Sequence, residues 1–215
     1  MGAEHHIKIQ KTGRFHTHGN LKEQKEIWLA FHGYGQLTEY FIKHFEVLDP
    51  DKYFVIAPEG FSKFYLKNFT GRIGASWMTK ESRDYEIEDY CHFFDEILRH
   101  FEIDENTTIN IFGFSQGVAT ATRWIMKGKH KIGKCVFWAG NVASEVLEEK
   151  HHRIKGLDIT TVLGNNDAIL KDFNFDAAAY RDKLNKLLDT PMKSVRFEGG
   201  HEINPDTFKE IFNIK

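Results

Sequence analysis

The chain of 215 residues is poor in cysteine, with only Cys91 and Cys135. Neither belongs to a C-x-x-C or comparable metal-binding spacing, so a zinc-ribbon site and a disulfide scaffold are both excluded. Cys91 falls in an expected helix and Cys135 in an expected strand, the pattern of two reduced core thiols in a cytoplasmic protein. No apolar run approaches the length of a membrane-spanning helix, so integral membrane contact is not expected. The first ten residues are polar and include His5 and His6, without the apolar stretch of a signal peptide. After Met1-Gly2, His6 stands where a myristoylation motif has Ser or Thr. Excess charge is also missing. A net charge of −2 gives no electrostatic footprint for nucleic acid or an anionic membrane. There is no internal repeat, low-complexity tract or linker, and the expectation is one domain over residues 1–215. Apolar residues make up 41% of the chain, enough for a substantial core, and Phe alone occurs 19 times.

What is present is organised around Thr108-Ile109-Asn110-Ile111-Phe112-Gly113-Phe114-Ser115-Gln116-Gly117. The first half is alternating and β-branched and reads as a buried strand. The second half is Gly-x-Ser-x-Gly, and helix-spaced residues follow from Val118 to Lys127. A strand that turns sharply into a helix with Ser at the corner is a nucleophile elbow. The sharp turn forces the Ser into a strained conformation, and side chains at Gly113 and Gly117 would collide with the neighbouring helix and strand. The Ser hydroxyl is then held at the carboxyl edge of the sheet, beside the positive end of a helix.

Around this centre, apolar runs alternate with helical patterns. Ile7–Gln10 and Arg14–Thr17 are expected to form a short hairpin. Strands are expected at Glu26–Phe31, Tyr53–Ala57, Gly133–Trp138, Asp158–Leu163 and Val195–Phe197. Helices are expected from Thr38, as cap, to Phe45, and over Asp84–Phe101, Ser144–Arg153, Phe173–Leu188 and Pro205–Phe212. Phe61 to Lys80 has little periodicity and reads as a long functional loop. The alternation implies an α/β fold with a mostly parallel sheet covered on both faces. In such sheets the residues that follow strand ends share one edge, which gathers Tyr34, Ser115, Asp167 and His201.

A serine hydroxyl is a poor nucleophile without a base, and the base needs an orienting acid. Asp167 follows a strand after the elbow, Asp158–Leu163, and His201 follows the next strand after that, giving the chain order Ser, Asp, His. Asp158 precedes its strand and lies at the wrong edge, while Asp172 is the reserve acid. His151 and His152 sit in a charged run and read as solvated. His32, in His32-Gly33-Tyr34-Gly35, comes too early to be the base and is expected to brace the oxyanion loop. The oxyanion donors are expected to be the backbone N–H groups of Tyr34 and Gln116, so substitution at Gln116 need not abolish activity. Phe61, Phe64, Tyr65, Phe69, Trp77 and Met78 are candidate substrate-lining residues. A loop packing on its own small core explains the same set. No metal or organic cofactor is required.

The motifs His32-Gly33-Tyr34-Gly35, Gly113-Phe114-Ser115-Gln116-Gly117, Gly164-Asn165-Asn166-Asp167 and Gly200-His201 together resemble the α/β-hydrolase fold. More narrowly, they resemble the small carboxylesterase/phospholipase branch that includes the acyl-protein thioesterases. The resemblance runs from about Ile27 to Ile214. It implies an α/β-hydrolase domain without a large lid, a catalytic set of Ser115, Asp167 and His201, and an oxyanion hole at Tyr34 and Gln116. Val118 departs from the pattern, which has a second Gly after the elbow. Ala168-Ile169-Leu170 lacks the usual Pro, and the Phe61–Trp77 segment differs from the thioesterases. The implied activity is hydrolysis of a small-molecule carboxylic ester through an acyl-enzyme. Thioesters and lysophospholipids are alternatives, as is a non-catalytic binding protein on the same scaffold. The sequence leaves a homodimer open.

Overall fold

The computed structural model describes residues 2–21, 25–148, 153–169, 177–189 and 192–214. Its main sheet has seven strands: β1 (Phe15–His18), β2 (Glu26–Phe31), β3 (Tyr53–Pro58), β6 (Thr108–Phe114), β7 (Lys131–Trp138), β8 (Asp158–Gly164) and β9 (Lys193–Phe197). Their spatial order is β1-β3-β2-β6-β7-β8-β9. All neighbours pair in parallel except β1, which runs antiparallel to β3 at the edge.

Strand periodicity divides the core into two layers. Ile27, Leu29 and Phe31 of β2, with Ile109 and Ile111 of β6, face α2 (Arg83–His100) and α3 (Gln116–Lys127). Leu184 and Leu188 of α5 (Ala177–Leu188) join this layer. Trp28 and Ala30, with Phe112 and Phe114, face the other side. There they meet Phe41 of α1 (Thr38–Phe41), Phe45 of the following 3₁₀ turn, and Phe208 of α6 (Pro205–Ile211). Phe45, Phe112 and Phe208 pack edge-on or tilted at 5.1–5.8 Å between ring centroids. Each such fully buried ring contributes about 2–3 kcal/mol of transfer free energy. A short α4 (Ser144–Glu148) follows β7.

Three sequence expectations are corrected. Residues 7–10 form no strand; Phe15–His18 instead pairs with the edge of β3, which offers more ladder bonds than a local turn. Thr38 is the first helical residue and Leu37 is the cap, because the Thr38 hydroxyl and N–H are both bound by Glu59, each at 3.1 Å. Phe61–Lys80 is not an irregular loop. It contains an antiparallel hairpin, β4 (Ser62–Lys67) and β5 (Thr70–Ser76), with Asn68 and Gly71 at positive φ around its tip. A register shift between Tyr65 and Lys67 breaks the alternation that would have revealed it.

Candidate active site

Ser115 stands between β6 and α3 with φ 54° and ψ −118°. Such a conformation costs a non-glycine residue about 1–3 kcal/mol and persists only where the surroundings enforce it. Here β7 grips the corner through the Ser115 N–H, which donates to the Trp138 carbonyl at 2.8 Å. A Cβ on Gly117 would lie 2.1 Å from the Phe31 carbonyl oxygen of β2, and one on Gly113 would lie 2.8 Å from Val118 Cα. The elbow therefore requires both glycines for close approach. Val118, where the resemblance expected another Gly, is fully buried. Its Cγ2 fills space that a Cβ on Gly140 would enter at 2.7 Å.

The candidate base and acid, His201 and Asp167, come from the loops after adjacent strands. Asn165 and Asn166 N–H donate to the Phe197 and Gly199 carbonyls, each at 2.9 Å, stitching the loop after β8 to the loop after β9. His201 Nδ1 lies 2.7 Å from Asp167 Oδ2, and Nε2 lies 2.9 Å from Ser115 Oγ. A carboxylate can only accept, so Nδ1 carries the proton and Nε2 is left to accept the Ser115 hydroxyl proton. Asp167 is almost fully buried, and its other oxygen accepts the Ile169 N–H at 3.0 Å. The His201 side chain is 20% exposed, so the Ser115 end of the chain opens toward solvent. Asp158 instead pairs with Lys193 at 2.9 Å on the opposite edge, while Asp172 lies outside the described residues.

The His32–Gln36 loop follows β2. Gly33 N–H donates to Gln36 Oε1 at 2.7 Å and Gly35 N–H to the Ala75 carbonyl at 2.8 Å. The Tyr34 N–H between them has no partner among the described residues. The Gln116 N–H is at the first position of α3, where no preceding turn supplies a carbonyl. His32 is fully buried beneath this loop. Its Nε2 accepts the Gly60 N–H at 3.0 Å, so the proton is on Nδ1, 2.7 Å from the Gly33 carbonyl. Burial pushes its pKa down to about 4, and it is a neutral brace at pH 7.

The sequence reading missed a second brace. Glu59, 1% exposed, receives Arg14 Nε at 2.8 Å and Nη2 at 2.6 Å, Lys63 Nζ at 3.2 Å, and both groups of Thr38. His16 Nδ1 lies 2.8 Å from the same Thr38 hydroxyl. Burial alone would raise the Glu59 pKa, but the Arg14, Thr38 and Lys63 hydrogen bonds outweigh it and hold the carboxyl down at about 2. The network joins residues up to 45 positions apart, and a buried-strand reading of β3 carries no signal for it. The only cue was an acid directly after the apolar run, in Pro58-Glu59-Gly60.

The aromatic candidates separate. Phe64 lies 5.0 Å from the Tyr34 ring, and the Met78 carbonyl accepts Gln116 Nε2 at 3.0 Å, so both stand beside the expected oxyanion residues. Tyr65 is half-exposed and Phe69 is 90% exposed on the hairpin. Phe61 turns toward Phe93 of α2, with ring centroids 5.0 Å apart. Trp77 is 2% exposed and packs in the core against Phe31, Phe94 and His32, which leaves it no surface for a ligand. Among the described residues no group of three or more His, Cys, Asp or Glu side chains could hold a metal ion, and no helix is long and apolar enough to cross a membrane.

No protein-family model and no curated protein sequence matches the chain. Solved structures do. The crystal structure of esterase PE8 aligns at 15% identity over 96% of this chain and 100% of its own, with a TM-score of 0.69. Acyl-protein thioesterase 2 of Zea mays aligns at 16% identity over 94% of this chain and 97% of its own, also at 0.69. A Bacillus cereus carboxylesterase aligns at 15% identity over 94% and 92%, at 0.63. With its mostly parallel seven-stranded sheet, helices on both faces and no large added domain among the described residues, the chain has the α/β-hydrolase fold, built like that of these three structures.

Proposed function

We propose that the protein is a serine hydrolase of carboxylic esters, acting as one domain. The observation that carries this reading is the continuous hydrogen-bonded chain Ser115–His201–Asp167, at 2.9 and 2.7 Å. Ser115 Oγ attacks the acyl carbonyl carbon while His201 Nε2 takes its proton. Asp167 holds the imidazole in the required tautomer and stabilises the imidazolium. The negative charge that develops on the carbonyl oxygen is received by the N–H groups of Tyr34 and Gln116. Each such donor contributes about 3–4 kcal/mol in the transition state. His201 then protonates the leaving alcohol, and an acyl-Ser115 ester remains. A water molecule, deprotonated by His201, releases the acid and restores Ser115.

Phe64, Tyr65, Phe69 and Met78 are the lining candidates this reading retains for the substrate. The buried thiols Cys91 and Cys135, both with raised pKa, fit a reducing compartment, hence the cytoplasm. Thioesters call for the same machinery, and a structural neighbour bears the name acyl-protein thioesterase.

The test is hydrolysis of p-nitrophenyl esters and acyl thioesters over a series of chain lengths, with Ser115→Ala beside wild type. Loss of the nucleophile in such a set lowers kcat on the order of a millionfold. Turnover by wild type alone supports the reading, and the chain-length profile ranks the substrates. Inert wild-type protein that also fails to react with a fluorophosphonate would leave a binding protein on a hydrolase scaffold.

A further inference from the structure

We infer that the side chain of Gln116 is a positioning residue that locks the two oxyanion donors to one another through the root of the β4–β5 hairpin. The inference rests on the hydrolase reading for its catalytic consequence. It gives the Gln116 side chain a role beside that of its backbone N–H.

The two donors originate on different elements: Tyr34 in the loop after β2, and Gln116 at the start of α3. Four consecutive residues, Ala75 to Met78, bridge them. On one side, the Ala75 carbonyl accepts Gly35 N–H at 2.8 Å and the Ala75 N–H donates to the Gln36 carbonyl at 3.2 Å. Trp77 Nε1 adds a bond to the His32 carbonyl at 2.8 Å. Tyr34 lies within the segment these three bonds fix. On the other side, the Gln116 amide is bonded at both ends. Its Nε2 donates to the Met78 carbonyl at 3.0 Å and to Ser76 Oγ at 3.1 Å, and its Oε1 accepts the Trp77 N–H at 3.3 Å.

A half-buried Gln at the start of a helix is ordinarily a solvated polar residue. Here its bonds all run to one segment 38–40 positions away in the chain, and that segment holds the other donor. Oxyanion stabilisation depends on donors fixed before the charge appears, and a displacement of about 1 Å can cost a hundredfold in rate. An amide at position 116 therefore sets the spacing of the hole, while its backbone N–H fills it.

The test is Gln116→Met, which keeps length and volume and removes all of the amide bonds. We expect kcat for a p-nitrophenyl ester to fall about 30-fold, with KM within about twofold, because the hole acts on the transition state. We also expect faster hydrogen exchange at the Gly35 and Ala75 amides, which a solvated side chain would not alter. Unchanged exchange at these amides overturns the inference whatever the activity, and so does an active variant with wild-type kcat. Inert wild-type protein together with accelerated exchange in the variant removes the hydrolase reading and leaves the coupling standing. Gln116→Glu keeps an acceptor for the Trp77 N–H and lacks the Met78 donor, and carries the same measurements should Gln116→Met fail to fold.

Discussion

Trp77 stacks on His32 with ring centroids 4.5 Å apart and donates its indole N–H to the His32 carbonyl at 2.8 Å. The indole seals the imidazole from water, and burial pushes the His32 pKa from 6.5 down to about 4. Between these values the unfolded chain takes up a proton that the folded protein refuses. The His32 contribution is thus fully present above pH 6.5 and is lost as pH falls toward 4, a change of about 3 kcal/mol. Urea denaturation at pH 7 and pH 4.5 measures it. His32→Gln, being uncharged throughout, should flatten that limb of the profile; an unchanged limb would assign it to other groups.

Glu59 governs a lower window. Its carboxyl is held at about 2 against an ordinary value of 4.5, so its stabilisation is complete above pH 4.5 and disappears as pH falls through 2. Glu59→Gln should lower stability at pH 7 by about 2 kcal/mol, because charge-assisted bonds become neutral ones. Arg14 is 41% exposed and can recover hydration, which keeps the loss below that of a fully buried pair. The variant should also lose less stability than wild type between pH 4.5 and 2, read by thermal melts across that range.

How far the sequence revealed this molecule depends on the distance over which each signal acts. The elbow was legible because all its requirements fall within ten residues: a β-branched run, two glycines and a helix start. The meeting of Asp167 and His201 was legible because each lies in the loop after a parallel strand, which places both on one edge. The Arg14–Glu59–Lys63 network was not, because its partners meet only after β1 has chosen the edge of β3. The same choice dissolved the expected hairpin around Lys11-Thr12-Gly13. The β4–β5 hairpin was hidden by its own register shift, although Asn68 offered a turn residue near its centre. Trp77 was placed beside the substrate because it lies in a segment that read as a long functional loop; its burial comes from contacts with β2 and α2.

Gly117→Ala tests the close approach at the elbow. The added Cβ would stand 2.1 Å from the Phe31 carbonyl oxygen and 2.8 Å from that of His32, so backbone must move. Overpacking of this kind costs about 1–3 kcal/mol. The displaced segment carries Tyr34, so activity should fall by more than the folded fraction alone explains. Parallel urea titration and ester hydrolysis separate the two effects, and a variant with wild-type values in both would contradict the packing argument.

Asp167→Asn tests the assignment of protons along the chain from Asp167 to Ser115. The amide matches the carboxylate in size, so the fold should survive. An Asn can turn its NH₂ toward His201 Nδ1, which then accepts, and the ring proton moves to Nε2. That nitrogen faces Ser115 Oγ at 2.9 Å and would donate where it must accept. In other enzymes with this arrangement the equivalent change lowers kcat about 10⁴-fold through the wrong tautomer. The expected outcome is a loss of that order near neutral pH with little change in thermal stability. Retention of full activity at neutral pH would mean that another acid orients His201, and the role proposed for Asp167 would fall.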